Sequence, residues 1–277
     1  THLHGDHYLG LPGLFKTYGL RGRERPLEVV GPRGLFRLMD TLKPIIGRLP
    51  FPVDLEEIDE PGPAAAFRGD GFRIDAYPTR HSVASVGYVL REEDRPGAFD
   101  LDAARALGVT PGPDFGVLQR GGEVTTPEGR VVRPDEVLGE ARTGRTVVIT
   151  GDTEPCDATV EAAHGAAVLV HESTFLDADR DRARETRHTT AREAAEVARE
   201  ADVGLLVLTH LSSRCAPGEV RAEAEAVFPR VIVPRDFDQI EIPFPERGAP
   251  IVHAARGGGR RGGPDVASEP PATLPVE

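Results

Sequence analysis

The seven residues Thr1–His7, THLHGDH, bring three histidines and one aspartate together at H-x-H-x-D-H spacing. Four ligand-type side chains this close in sequence constrain the fold, because the backbone must turn them all toward one place. With residues 1–4 at the end of a strand, side chains at i and i+2 share a face. His2 and His4 then project together at the separation two imidazoles need to share one cation. Beyond the turn at Gly5, Asp6 and His7 are directed toward an adjacent position, so a centre for two cations is expected.

Two cations need further ligands, and the chain supplies candidates where short apolar runs end. TVVIT (146–150) runs into GDTEP, AAVLV (166–170) into HESTF, and GLLVL (204–208) into THLSS. Each run has the composition of a buried strand, with polar residues immediately after it. Asp152 carries two oxygens and is the natural bridge between two ions. His81, in YPTRHSVASVGYVL, and His210 then complete the separate shells. Between the last two runs, TTAREAAEVAREA (189–201) reads as a helix. Thr189 or Thr190 serves as its N-cap, and Ala194, Ala195, Val197 and Ala198 form its apolar stripe. Strands alternating with helices indicate an α/β domain.

The charge balance limits what the chain can bind. Lys and Arg number 33 against 45 Asp and Glu, a net charge of −12, which opposes broad attraction to nucleic acid and gives no expectation of DNA binding. An anionic substrate must therefore be held by local groups, and bound cations are the strongest such charges. No apolar run approaches the roughly 20 residues of a membrane span. No signal-like segment is visible, so a soluble, cytoplasmic chain without membrane contact is expected. Cys156 and Cys215 stand far apart and outside any CxxC pattern, and read as two unpaired thiols. Residues 91–145 are rich in Gly, Pro and charge, have little periodicity, and read as a projecting arm on a domain spanning 1–253. Residues 254–277 have the composition of a disordered tail. His164 and His253 belong to no motif and read as structural or surface residues.

Taken in order, these motifs resemble the ribonuclease Z family of the metallo-β-lactamase superfamily. The HxHxDH cluster alone marks the superfamily. GVTPGPDFGVLQRGG, GDTEP, HESTF, RHTTAREAA and LTHLSSR, following RHSVASVGY and REEDRPG, narrow the likeness, which extends over about residues 1–235. The resemblance implies an αββα four-layer sandwich. THLHGDH normally follows the first sheet of that fold, so a chain opening there is expected to lack the N-terminal strands. It also implies two zinc ions per subunit, one held by His2, His4 and His81, the other by Asp6, His7 and His210, with Asp152 between them. A His-rich, carboxylate-bridged site favours zinc over manganese.

The implied reaction is removal of 3′ trailers from precursor tRNA by a water that the two metals activate. Asp6 would accept its proton, while His188 would donate one to the leaving 3′ oxygen, oriented by Glu172. By the same resemblance Ser212, Ser213 and Arg214 lie near the substrate phosphate, His171 is a candidate second layer behind the ligands, and the arm grips the tRNA elbow across a homodimer. The arm holds eight arginines and no lysine against eleven acidic residues, so it lacks the basic character such a grip favours. Cys215 stands where the resemblance leads one to expect an aromatic residue. Two other readings stay open: a different phosphodiesterase or arylsulfatase-like hydrolase of the same fold, and an inactive, truncated metal-binding fragment.

Overall fold

The computed structural model describes residues 1–59 and 65–255. A single turn of helix, α1 (Gly5–Tyr8), carries Asp6 and His7, where the sequence suggests only a turn at Gly5. Next come α2 (Leu11–Leu20), strand β1 (Leu27–Pro32), α3 (Leu35–Ile46) and β2 (Val53–Ile58). The two strands pair in parallel. The helices close over their own apolar cluster of Phe15, Leu35, Met39, Leu42, Ile46 and Phe51.

The rest of the chain builds a seven-stranded mixed sheet. Strands β3 (Ala65–Gly69), β4 (Phe72–Pro78) and β5 (Val86–Glu92) form an antiparallel meander. An insertion follows, containing α4 (Leu101–Ala106), α5 (Pro113–Gln119) and the hairpin β6 (Val124–Thr125) and β7 (Val131–Val132). The chain then returns as β8 (Thr146–Ile149), α6 (Asp157–Ala163), β9 (Val168–Glu172), α7 (Arg180–Thr186) and α8 (Ala191–Glu200). It continues through β10 (Leu205–Thr209), α9 (Pro217–Glu225) and β11 (Val231–Ile232) to a terminal hairpin, β12 (Gln239–Glu241) with β13 (Ile251–His253). The sheet order is β11-β10-β9-β8-β5-β4-β3, with β8 to β11 parallel and β8 antiparallel to β5.

Small residues on α8 let it lie close to the sheet. Ala191, Ala194, Ala195 and Ala198 are fully buried against Leu169, Leu206 and Leu208. Thr190, not Thr189, caps this helix: its hydroxyl accepts from the Glu193 amide at 3.2 Å, and Glu193 Oε2 accepts from the Thr190 amide at 3.1 Å. Thr190→Ala is therefore expected to lower unfolding stability by about 1 kcal/mol. A urea midpoint unchanged from the parent would remove the cap from the argument.

Two expectations shift. The strand assigned to 166–170 runs from Val168 to Glu172, so His171 and Glu172 belong to the strand instead of following it. The insertion at 93–145 is also more ordered than its composition suggests. Ala104, Val109, Leu118, Val124, Val132 and Val137 are buried together as its own small core. The residues read as a tail, 254–277, lie outside the described residues from 256 onward. Among the described residues no helix is long and apolar enough to cross a membrane.

Candidate metal centre

The carboxyl ends of β8, β9 and β10 line up, since Ile149 pairs with Val170 and Thr209 with Glu172. Asp152 follows the first of these strands, Glu172 ends the second, and His210 follows the third. Ligand sites in sheets of this kind form at such strand ends. The start of the chain completes the ring. His2 forms an antiparallel bridge with Ser85, and the Thr1 carbonyl accepts from the Val86 amide at 2.9 Å. Gly151 makes this approach possible: it has φ +65°, and a Cβ there would lie 2.5 Å from Cβ of Thr1.

The ligand atoms converge as two sets. In the inner set His4 Nδ1 lies 3.0 Å from His2 Nε2 and 3.1 Å from His81 Nε2, and His2 Nε2 lies 3.7 Å from Asp152 Oδ2. In the outer set, Asp6 Oδ2 is 3.5 Å from Nε2 of both His7 and His210, and Asp152 Oδ2 is 3.4 Å from each. Four ligands at about 2.1 Å around a tetrahedral ion stand about 3.4 Å apart, so both sets fit a small divalent cation. The structure therefore brings together all seven residues expected as ligands, in two of the three groups of possible metal-binding side chains among the described residues. One detail differs from expectation. The same oxygen of Asp152, Oδ2, faces both sets, where one oxygen for each was anticipated.

Surrounding hydrogen bonds fix which ring nitrogens point inward. His81 Nδ1 donates to the Arg187 carbonyl at 2.9 Å, and the Arg187 guanidinium donates back to the His81 carbonyl at 2.9 Å. Arg187 adopts a left-handed conformation, φ 56°, to make this exchange. Thr174 Oγ1 donates to Glu172 Oε2 at 2.7 Å, so it must accept from His210 Nδ1, 2.9 Å away. In each case Nε2 is left as the free lone pair facing the site, the arrangement that metal-binding histidines require. Burial, followed by repulsion from neighbouring imidazoles, pushes His2 down to about 3, and burial likewise lowers His81. Both rings are thus held neutral, the form that binds metal.

Beside these sets stands a buried carboxylate. Glu172 accepts from the amides of Thr153, Thr174 and Thr189, from the Thr174 hydroxyl, and from His188 Nδ1 at 2.7 Å. Burial alone would raise its pKa, yet these donors, His188 first among them, bring it below the ordinary value. For His188 burial works toward a lower pKa, but the hydrogen bond and charge of Glu172, joined by Asp152 and Asp6, leave it raised. Both shifts favour an ion pair in which His188 Nδ1 donates to the carboxylate, which leaves Nε2 without that bond. His188 also stacks on His210, with ring centroids 5.5 Å apart and planes 15° apart.

The remaining candidates divide. Ser213 and Arg214 are exposed on the loop just beyond His210, while the Ser212 hydroxyl accepts from the Arg214 amide at 3.3 Å. His171 is fully buried, and its Nδ1 meets the Glu172 carbonyl at 2.7 Å, so it braces the strand and not a ligand. His253 meets Glu241 at 3.0 Å on the terminal hairpin. Thr174 and Arg187, which set the histidine tautomers, were not singled out from the sequence. Their signal is adjacency: Thr174 lies inside HESTF and Arg187 opens RHTT.

No family model matches the chain. A solved structure described as a metallo-β-lactamase fold protein, YhfI from Bacillus subtilis, superposes with a TM-score of 0.53 at 20% identity, covering 84% of this chain and 71% of that one. The sheet, its helices and the paired ligand sets at the strand ends thus define a protein of the metallo-β-lactamase fold. Ribonuclease Z of Myxococcus xanthus is 50% identical over 215 residues, 77% of this chain and 69% of that protein. Human tRNase Z, short form, superposes with a TM-score of 0.57 at 26% identity, covering 88% of this chain and 77% of that structure. The chain belongs to the ribonuclease Z family.

Proposed function

We propose that the chain is a zinc-dependent endoribonuclease that removes 3′ trailers from precursor tRNA by hydrolysing one phosphodiester bond. The observation that carries this reading is its identity with ribonuclease Z relatives over most of its length. In this reading His2, His4 and His81 would hold one zinc ion and Asp6, His7 and His210 a second, with Asp152 between them. Bound there, two such cations would acidify water and neutralise charge on the phosphate oxygens. The chain's own residues supply the rest. Asp6, whose side chain is 67% exposed, faces the solvent side of the outer set and accepts the proton of the attacking water. His188 donates a proton from Nε2 to the leaving 3′ oxygen, and Glu172 orients its ring and keeps it charged. Ser213 and Arg214 meet the phosphate from the loop after His210, where an arginine fork suits a phosphodiester.

Substrate grip is assigned to the insertion at 93–145, acting on the tRNA elbow from the opposite subunit of a homodimer in the cytoplasm. Seven of the eight arginines counted over 91–145 are engaged by nearby carboxylates there or at its base. Arg105, Arg130 and Arg133 pair with Asp102, Glu136 and Glu123, Arg95 and Arg142 with Glu246, Arg145 with Glu92, and Arg91 with Asp75. Contacts of shape and hydrogen bonding must then outweigh net charge in that grip.

The direct test supplies the purified chain with two equivalents of zinc and a precursor tRNA. Release of the trailer by a single cut supports the reading. Hydrolysis of bis(p-nitrophenyl) phosphate with an intact precursor would instead favour a small-ester hydrolase.

The Glu172–His188 pair sets a pH dependence. Its stabilisation through the raised His188 pKa is complete below the ordinary histidine value of 6.5 and is lost as pH rises through the folded value. Its stabilisation through the lowered Glu172 pKa is complete above 4.5 and is lost as pH falls through the folded value. The proton donor is therefore available up to a pH above 6.5. Glu172→Gln removes the anion, so the alkaline limb of the kcat profile is expected to move down by about 1–3 pH units. An unmoved limb would assign it to another group.

A further inference from the structure

The outer cation has a choice of ligands. We infer that it has a second station, made by Asp152, His188 and His210, in which the residue assigned as proton donor becomes a metal ligand instead. This rests on the two-cation reading above and goes beyond it, since that reading gives His188 no metal.

Three observations converge. First, one ligand atom from each of Asp152, His188 and His210 lies within 4.8 Å of the other two, as in the inner and outer sets. Two of these residues also belong to the outer set, so the station is an alternative for the same ion and not a place for a third. Second, His188 is supported as metal-binding histidines are. Its Nδ1 is held by a buried carboxylate at 2.7 Å, which leaves Nε2 of the neutral ring as the free lone pair. His210 has the matching support from Thr174 at 2.9 Å, so both Nε2 atoms can serve one ion. Third, the exchange moves the ion inward. It gives up Asp6, 67% exposed, and His7 for His188, 14% exposed, while keeping Asp152, 4% exposed. Ligand atoms of a tetrahedral ion stand about 3.4 Å apart, so the His188 ring must close in by roughly 1 Å, a displacement within reach of a side chain at a site open to solvent. An ion in this station occupies the lone pair through which His188 acts, so the station is an off state.

Cobalt(II) titration of the full chain, followed by its visible absorption and by metal content after gel filtration, tests this. In the parent background, His188→Ala is expected to change the affinity for the second cobalt ion by less than about 2-fold, because Asp6 and His7 hold the ion outside. In an Asp6→Ala background the ion depends on the station. There the added His188→Ala is expected to weaken the second ion by on the order of 10-fold or more, the scale on which ligand support matters. Equal second-ion affinity with and without His188 in the Asp6→Ala background overturns the station while leaving two cations in the parent. A parent chain that binds fewer than two cobalt ions removes the two-cation reading, and the station with it. Should the double variant fail to fold by circular dichroism, Asp6→Asn with His188→Asn makes the same comparison with smaller changes of shape.

Discussion

His188→Ala is expected to lower kcat for trailer release by about 10²–10⁴-fold while the chain keeps both metal ions. The range is what a positioned proton donor contributes, and the structure explains why metal and turnover should separate. His188 lies outside the inner and outer ligand sets, whose atoms stand 3.0–3.7 Å apart without it. Removing its ring leaves Glu172 with three amides and one hydroxyl as donors, so the buried carboxyl keeps hydrogen-bond partners. The gap opens at a half-buried surface position, so collapse of the core is not expected. Single-turnover cleavage and metal analysis on the same sample decide the matter. Added imidazole should restore part of the lost rate by filling the gap with a proton donor. Metal loss in proportion to lost turnover, with no rescue, would make His188 structural.

How much of this was legible in the sequence follows from how local each feature is. The seven candidate ligands could be read as a group because four lie within seven residues, and His81, Asp152 and His210 each stand within three residues of a strand's end. Helix α8 was readable because its cap and alanine stripe are local as well. The end of β9 was missed by two residues for the opposite reason. His171 and Glu172 are polar, so an apolar pattern stops at Val170, but the ladder with β10 continues to Glu172 through partners nearly forty residues away. In the layer formed by α2, β1, α3 and β2 only α3 has apolar residues at clear helical spacing, Leu35, Met39, Leu42 and Ile46. Gly13 and Gly19 interrupt α2, and Pro44 sits inside the last turn of α3. Two features of the site are invisible to spacing altogether. One is the left-handed backbone of His210, φ 55°, and Arg187, φ 56°. The other is the set of hydrogen bonds by which Thr174 and Arg187 choose the ligand nitrogens. Both depend on contacts made only after folding, and strained backbone of this kind concentrates at functional sites.

Asp152→Ala should have the widest effect on metal, removing ions from both sets where loss of any one histidine removes them from one. Its Oδ2 lies 3.7 Å from the nearest inner nitrogen and 3.4 Å from two outer ones, and the side chain is only 4% exposed. Without it His2, His4 and His81 are left with no anion, and a divalent charge in that buried set has only neutral imidazoles to balance it. Leaving one member of a buried charge pair alone costs roughly 3–5 kcal/mol, which corresponds to a fall in zinc affinity of about 10²–10⁴-fold. The outer set keeps Asp6, but that carboxylate is largely in water, where its charge is screened and counts for less. Zinc content after dialysis against a buffered chelator should therefore fall well below one ion per chain, with activity lost in step. Asp152→Asn separates the two contributions of the residue, because it keeps an oxygen in place and removes the charge. If charge dominates, the asparagine variant should lose nearly as much zinc as the alanine variant. An Asp152→Ala chain that still holds two ions at parental affinity would show that the shared oxygen is not what joins the two sets.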